Sequence, residues 1–169
     1  MLLDISRALR SQGTEFSFAL EGEIPDQDIL GEMVSFDKVT MSGSFNAAGK
    51  SVLVEGQLTA YASARCAKCL SPAQAKVKVP FREIFVQDGD PEDPDKFAFE
   101  GYSLSLDHLA LSLALLDLPM RFLCGGDCKG LCPVCGANLN KKTCTCRKET
   151  LTKHPFEALQ HLLTKDEEV

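Results

Sequence analysis

The eight cysteines of this 169-residue chain fall into four close pairs. Cys66 and Cys69 form C-x2-C, Cys124 and Cys128 form C-x3-C, Cys132 and Cys135 form C-x2-C, and Cys144 and Cys146 form C-x-C. Paired thiols serve four chemistries: disulfides, redox dithiols, nucleophiles and metal ligands. Six of the eight lie within "CGGDCKGLCPVCGANLNKKTCTC", residues 124–146, too many for one tetrahedral ion. Zn2+ takes four soft ligands in a tetrahedron, and a C-x2-C turn aims two thiolates at one point. In "CPVCG", residues 132–136, Pro133 stiffens the turn. Gly136 offers a positive φ that turns backbone N–H groups toward the sulfurs.

Four half-sites make two four-thiolate sites, so two structural Zn2+ ions are expected. Sequence distance groups Cys132, Cys135, Cys144 and Cys146 into a compact ribbon around "GANLNKKT". Cys66 and Cys69 are then left to meet Cys124 and Cys128. Pairing Cys124/Cys128 with Cys132/Cys135 is the alternative, and it strands the Cys66/Cys69 turn. Sites closed by four thiolates leave no water position, which suits a structural role worth on the order of 10 kcal/mol per ion and not metal-assisted hydrolysis. An iron–sulfur cluster also takes four thiolates, but C-P-x-C-G is more typical of zinc. A thiol oxidoreductase using Cys66 and Cys69 lacks a thioredoxin-like βαβ context. Neither a phosphate loop nor G-x-S-x-G nor H-E-x-x-H occurs, so the expectation is a non-enzyme without a small-molecule substrate.

The elements that must position these thiols are read from periodicity. Residues 15–24 alternate through Phe16, Phe18 and Leu20 toward Ile24, and 38–45 alternate through Val39, Met41 and Phe45. "NAAGK", 46–50, reads as a hairpin turn with Gly49 available for positive φ. Residues 51–65 and 73–86 alternate again, placing Cys66 and Cys69 at a long hairpin's tip. "DGDPEDPDK", 88–96, reads as a solvated acidic loop. Residues 106–118 read as an apolar helix with Ser105 as N-cap and Pro119 as its stop. His108 on it lacks a ligand partner at i+4 and reads as a surface or packing residue. "KHPFEALQHLL", 153–163, reads as a short helix with Pro155 at its first position and Phe156, Leu159 and Leu163 in a stripe.

The fold class is therefore α+β: an antiparallel β meander or partial barrel, one apolar helix, a cysteine-rich zinc ribbon and a short terminal helix. Residues 1–120 form the β domain. Residues 121–169 form the zinc-binding module, clamped to the first by a shared metal site. The net charge of −6 argues against an overall electrostatic fit to nucleic acid. No apolar h-region opens the chain and no apolar run approaches the ~20 residues of a membrane span, so the expectation is cytoplasmic, with reduced thiols and no membrane partner.

Around the cysteines the balance reverses. Arg121, Lys129, Lys141, Lys142, Arg147, Lys148 and Lys153 face Asp127 and Glu149, formally +5. Each Zn2+ held by four thiolates carries −2, so two sites bring this region to about +1. These residues balance thiolates or contact RNA phosphate, and no interleaved aromatics support base stacking.

In order, the chain carries "CAKCL", "LPM" after the apolar helix, "CKGLCPVCGANLN", "CTC" and "KHPFEAL", after an opening "LLDISRALRSQG" and "FALEGEI". This pattern resembles the YceD family, bacterial and plastid proteins implicated in accumulation of large-subunit ribosomal RNA. The resemblance implies a role in ribosome biogenesis and no known reaction, with ribosomal RNA or ribosome-assembly proteins as partners. It maps a cysteine motif onto all eight cysteines and a Pro-Phe tail onto Pro155 and Phe156, added contact candidates. The competing implication is a zinc-dependent protein–protein adaptor that touches no RNA; an RNA-modifying enzyme would need a pocket the sequence does not announce.

Overall fold

A computed structural model describes residues 1–88 and 97–146. In chain order the elements are β1 (Leu2–Asp4), α1 (Ser6–Arg10), β2 (Phe16–Gly22), β3 (Gln27–Ile29), β4 (Glu32–Ala48), β5 (Ser51–Arg65), β6 (Pro72–Gln87), β7 (Phe97–Phe99), β8 (Ser103–Ser105) and α2 (Asp107–Leu116). The described residues are mostly sheet with two helices, and the chain divides into two compact units, Met1–Lys129 and Gly130–Val169.

The first unit is built on three long antiparallel strands, β4, β5 and β6. Their alternation sends Val39, Met41, Phe45, Val52, Val54, Leu58, Val77, Phe81 and Phe85 into one core. Leu109, Ala110, Leu113 and Ala114 of α2 are buried as well. Burial of each large side chain contributes roughly 1.5–3 kcal/mol, so this unit has a hydrophobic reason to fold. Among the described residues the expected partial barrel is not formed. The sheet is open in the order β2-β4-β5-β6-β7, with β3 paired to β4 and β1 paired to β8 in a separate two-stranded sheet. Nor is the meander purely antiparallel, because β7 joins β6 in parallel, its Phe97 ring 5.2 Å from that of Phe85.

The strand expected at 38–45 is the second half of the longer β4. The register shifts by one residue between Asp37 and Thr40, which is a β-bulge. A one-residue insertion inverts the inward parity. Even-numbered Val34 and odd-numbered Val39 are therefore both buried. The helix expected at 106–118 spans Asp107–Leu116, and its N-cap is Leu106 without a side-chain cap. Ser105 is not the cap, since its hydroxyl donates to the Asp107 carboxylate at 3.0 Å. His108 is exposed and lies edge-on to Phe97 at 5.9 Å. Most of the acidic stretch and the whole of 153–163 fall outside the described residues.

Gly43 and Gly56 face each other across β4 and β5. A Cβ on Gly43 would lie 2.0 Å from the Glu55 carbonyl oxygen, and one on Gly56 would lie 2.3 Å from that of Ser42. Backbone cannot step aside as a flexible side chain can. Gly56→Ala is expected to destabilise the first unit by about 3 kcal/mol, read from the midpoint of urea unfolding.

The described part of the second unit, 130–146, contains no helix or named strand. A single antiparallel bridge joins Leu131 and Asn138. The expected ribbon is thus a pair of turns around one bridge.

Candidate metal centre

The β5–β6 hairpin ends at the pair Arg65 and Pro72, and residues 66–71 form its tip. There the Cys66 N–H donates to the Ser71 carbonyl at 2.8 Å, and the Leu70 N–H donates to the Cys66 carbonyl at 2.9 Å. The tip is tied to the segment after α2 by the Ala67 N–H, which donates to the Phe122 carbonyl at 2.9 Å. That bond carries residues 124–128 to the tip. The Sγ atoms of Cys66, Cys69, Cys124 and Cys128 lie within 4.8 Å of one another. Cys66 and Cys128 sulfurs are 3.8 Å apart, and those of Cys69 and Cys124 are 3.4 Å apart.

The second unit repeats the same turn. The Cys132 N–H donates to the Ala137 carbonyl at 2.8 Å and the Gly136 N–H to the Cys132 carbonyl at 2.9 Å. The Sγ atoms of Cys132, Cys135, Cys144 and Cys146 again lie within 4.8 Å of one another. In both turns the residue after the second cysteine is left-handed: Leu70 at φ 59° and Gly136 at φ 70°. Glycine takes this conformation freely, while a leucine pays about 1–2 kcal/mol. "CAKCL" aligned on "CPVCG" was the available signal for Leu70.

In each group one sulfur collects more than one backbone donor. The Cys66 thiol is pulled down to about 6, first by the Cys124 N–H and then by the N–H groups of Lys68 and Cys69, against a burial effect that raises it. The Cys132 thiol is likewise pulled down to about 6 by the N–H groups of Cys135 and Val134. So the turn does aim N–H groups at sulfur, though not that of Gly136, which holds a carbonyl. The Ser71 hydroxyl and N–H lower Cys69, a role not legible in the spacing. The opposite members are raised. Cys124 is pushed up to about 12, first by Cys69, and Cys146 to about 12, first by Cys135. Cys144 is raised by Cys132. A metal-free group thus favours its lowered thiolates chiefly through backbone N–H groups, aided at Cys69 by the Ser71 hydroxyl, and only a cation makes four thiolates together favourable.

Both groups fit such a cation. A disulfide needs sulfurs at about 2.05 Å, far shorter than the spacings seen. Ligands about 2.3 Å from a tetrahedral Zn2+ stand about 3.8 Å from one another. Among the described residues no carboxylate or imidazole joins either group.

Of the other contact candidates, Arg121, Lys129, Lys141 and Lys142 are exposed. Arg147, Lys148, Lys153, Pro155 and Phe156 lie outside the described residues. No helix among the described residues is long and apolar enough to cross a membrane.

A family profile described as "Large ribosomal RNA subunit accumulation protein YceD" matches residues 54–163. The chain belongs to the YceD family. The matched span holds all eight cysteines. An uncharacterised protein of Mycobacterium tuberculosis is 29% identical over 147 residues, covering 82% of this chain and 70% of the relative. An uncharacterised protein of Mycobacterium leprae is 29% identical over 94 residues, 52% of this chain and 43% of the relative. A protein of Arabidopsis thaliana named "Large ribosomal RNA subunit accumulation protein YCED homolog 1, chloroplastic" is 36% identical over 64 residues, 38% of this chain and 20% of the relative. No solved structure matches.

Proposed function

We propose that this chain is a non-catalytic, zinc-holding factor that supports production or stability of large-subunit ribosomal RNA in the cytoplasm. The observation that carries the reading is the pair of four-sulfur groups, each with its sulfurs within 4.8 Å of one another, inside a span matching a family described by ribosomal RNA accumulation. Each cysteine supplies one thiolate, and zinc supplies the charge that holds four of them together. A multi-iron cluster attaches its thiolates to different irons and spreads them farther apart, so spacings of 3.8 and 3.4 Å favour a single ion. Burial of Cys66 with 0% exposure also disfavours thiol exchange at the hairpin tip.

Protein purified without added metal is expected to contain two zinc ions per chain, and none by elemental analysis would overturn the metal reading. Cells lacking the protein are expected to show fewer large-subunit precursors in a ribosomal-particle profile. An unchanged profile would overturn the ribosomal part and leave the metal part standing. Crosslinking of ribosomal RNA to Arg121, Lys129, Lys141 or Lys142 would support direct contact. Protein-only crosslinks would support the adaptor reading, which an apolar groove near Arg121 also favours.

The reading has a proton signature. At pH 7 the Cys124 and Cys146 thiols, held near 12 in the metal-free groups, must lose protons to become ligands. Calorimetry in buffers of different ionisation enthalpy is expected to show release of at least one proton per zinc bound. The sign follows: metal-dependent stability is full at alkaline pH and is lost as pH falls and protons displace the ion.

A further inference from the structure

Beside the first thiol group runs a groove of about 500 Å³ formed by three separated segments of the first unit. The β3–β4 hairpin supplies Leu30 and Val34, the cysteine turn supplies Leu70, and the segment after α2 supplies Leu118, Met120 and Phe122. Val34 and Phe122 are buried, whereas Leu30 is 104%, Met120 102% and Leu70 59% exposed.

The two exposed leucines are costly choices. β3 and β4 are joined by the two residues Leu30 and Gly31, with Ile29 paired to Glu32. Both have positive φ, 56° and 85°, as in a hairpin turn that favours Asn or Gly at its first position. Leu70 holds φ 59° where the second cysteine turn has Gly136. Neither leucine gains burial in exchange for its left-handed backbone. Strain of this kind, about 1–3 kcal/mol at each position, collects at ligand clamps. Here both strained residues border the same groove.

Its rim also carries charge. Arg65 and Arg121 line it, both exposed, and neither forms an ion pair among the described residues. The one acid in the lining, Glu32, accepts the Arg65 backbone N–H at 3.0 Å. Beside a thiol group that carries −2 when it holds Zn2+, these two exposed guanidinium groups are the positive charges of a largely apolar lining, and each can take a carboxylate in a bidentate pair, so the lining complements an apolar segment flanked by carboxylates.

We propose that this groove docks a short peptide segment of a partner protein, with large apolar residues seated between Leu30, Leu70 and Met120 and flanking acids meeting Arg65 and Arg121. The groove stands on its own geometry and does not depend on RNA contact. It gives Leu30 and Leu70 a reason to be there.

The test is selection of a displayed library of random 16-residue peptides on the full-length, metal-loaded protein. Enriched peptides are expected to carry two or three large apolar residues beside Asp or Glu. The Leu30→Gly/Leu70→Gly double variant is expected to bind them at least tenfold more weakly while melting no lower than wild type. Leucines that served the fold alone would instead lower the melting point when removed. Arg65→Gln/Arg121→Gln is expected to remove the preference for acidic flanks. No enrichment, a basic or wholly polar consensus, unchanged binding by the leucine variant, or a lower melting point for it would each overturn the proposal. So would a dimer of the wild type that the leucine variant abolishes, which would assign the groove to a second copy.

Discussion

Cys66→Ser is expected to leave the protein with one zinc ion and to lower the melting point of the first unit by about 10 °C or more. Cys66 is fully buried, and three backbone N–H groups, from Cys124, Lys68 and Cys69, point at its sulfur. A serine hydroxyl there is a poor zinc ligand, and it leaves the remaining three thiols and those N–H groups around a smaller neutral atom. Two losses combine. On the proposed reading an ion no longer joins the hairpin tip to residues 124–128, and a buried set of donors loses its anion. The sum is at least about 3–5 kcal/mol, and a unit of this size shifts by roughly 3 °C per kcal/mol. The sheet itself is expected to persist, since Val39, Met41, Val54, Leu58 and Phe85 are buried on β4, β5 and β6, away from the tip. Zinc content and thermal unfolding on one sample check both parts. Retention of two ions, or a shift below about 2 °C, would remove Cys66 from the ligand set.

What the sequence disclosed follows how locally each feature is determined. β5 and β6 alternate without interruption, so 51–65 and 73–86 are legible to within one residue. β4 is not, because the bulge at Asp37 to Thr40 shifts the phase, and an alternation followed through 32–48 contradicts itself. β1, β3, β7 and β8 have three residues each and exist through their partners. No period can be read from three residues. The open sheet differs from a partial barrel only in what β2 and β7 fail to pair with, which local sequence does not carry.

The thiol groups show the same division. Spacing alone marks the two C-x2-C turns, because an i, i+3 pair on a tight turn is a local geometry. Sequence distance groups Cys132, Cys135, Cys144 and Cys146 and leaves Cys66 and Cys69 for Cys124 and Cys128, and the structure brings together the same two sets. The contacts that join the distant pair, such as Ala67 N–H to the Phe122 carbonyl, are long-range and are not written in the spacing. The groove was illegible for a stronger reason. Leu30, Leu70 and Met120 come from three segments far apart in the chain, and each reads singly as an ordinary exposed apolar residue. Only backbone conformation sets Leu30 and Leu70 apart, and φ is not written in a leucine.

Cys132→Ser is expected to unfold the described part of the second unit outright. Of residues 130–146, the only buried side chain is that of Cys132 itself, at 5% exposure. Leu131 and Leu139 are half-buried, and one bridge and a few turn bonds complete the local structure. So few apolar contacts cannot offset the entropy of ordering 17 residues, about 1–2 kcal/mol for each backbone. On the proposed reading the ion is what offsets it, with about 10 kcal/mol of binding energy appearing as folding energy. Loss of one ligand should therefore abolish structure there, where Cys66→Ser only weakens a unit that has a core. Amide signals of 130–146 are expected to collapse to random-coil positions, and trypsin cleavage after Lys141 and Lys142 to accelerate at least tenfold. The amides of β4, β5 and β6 serve as the control and are expected to stay dispersed. A chelator strong enough to strip both sites should reproduce the collapse in the unmutated chain, and added zinc should reverse it. A Cys132→Ser protein that keeps its 130–146 signals would show that something other than the thiolates holds this segment.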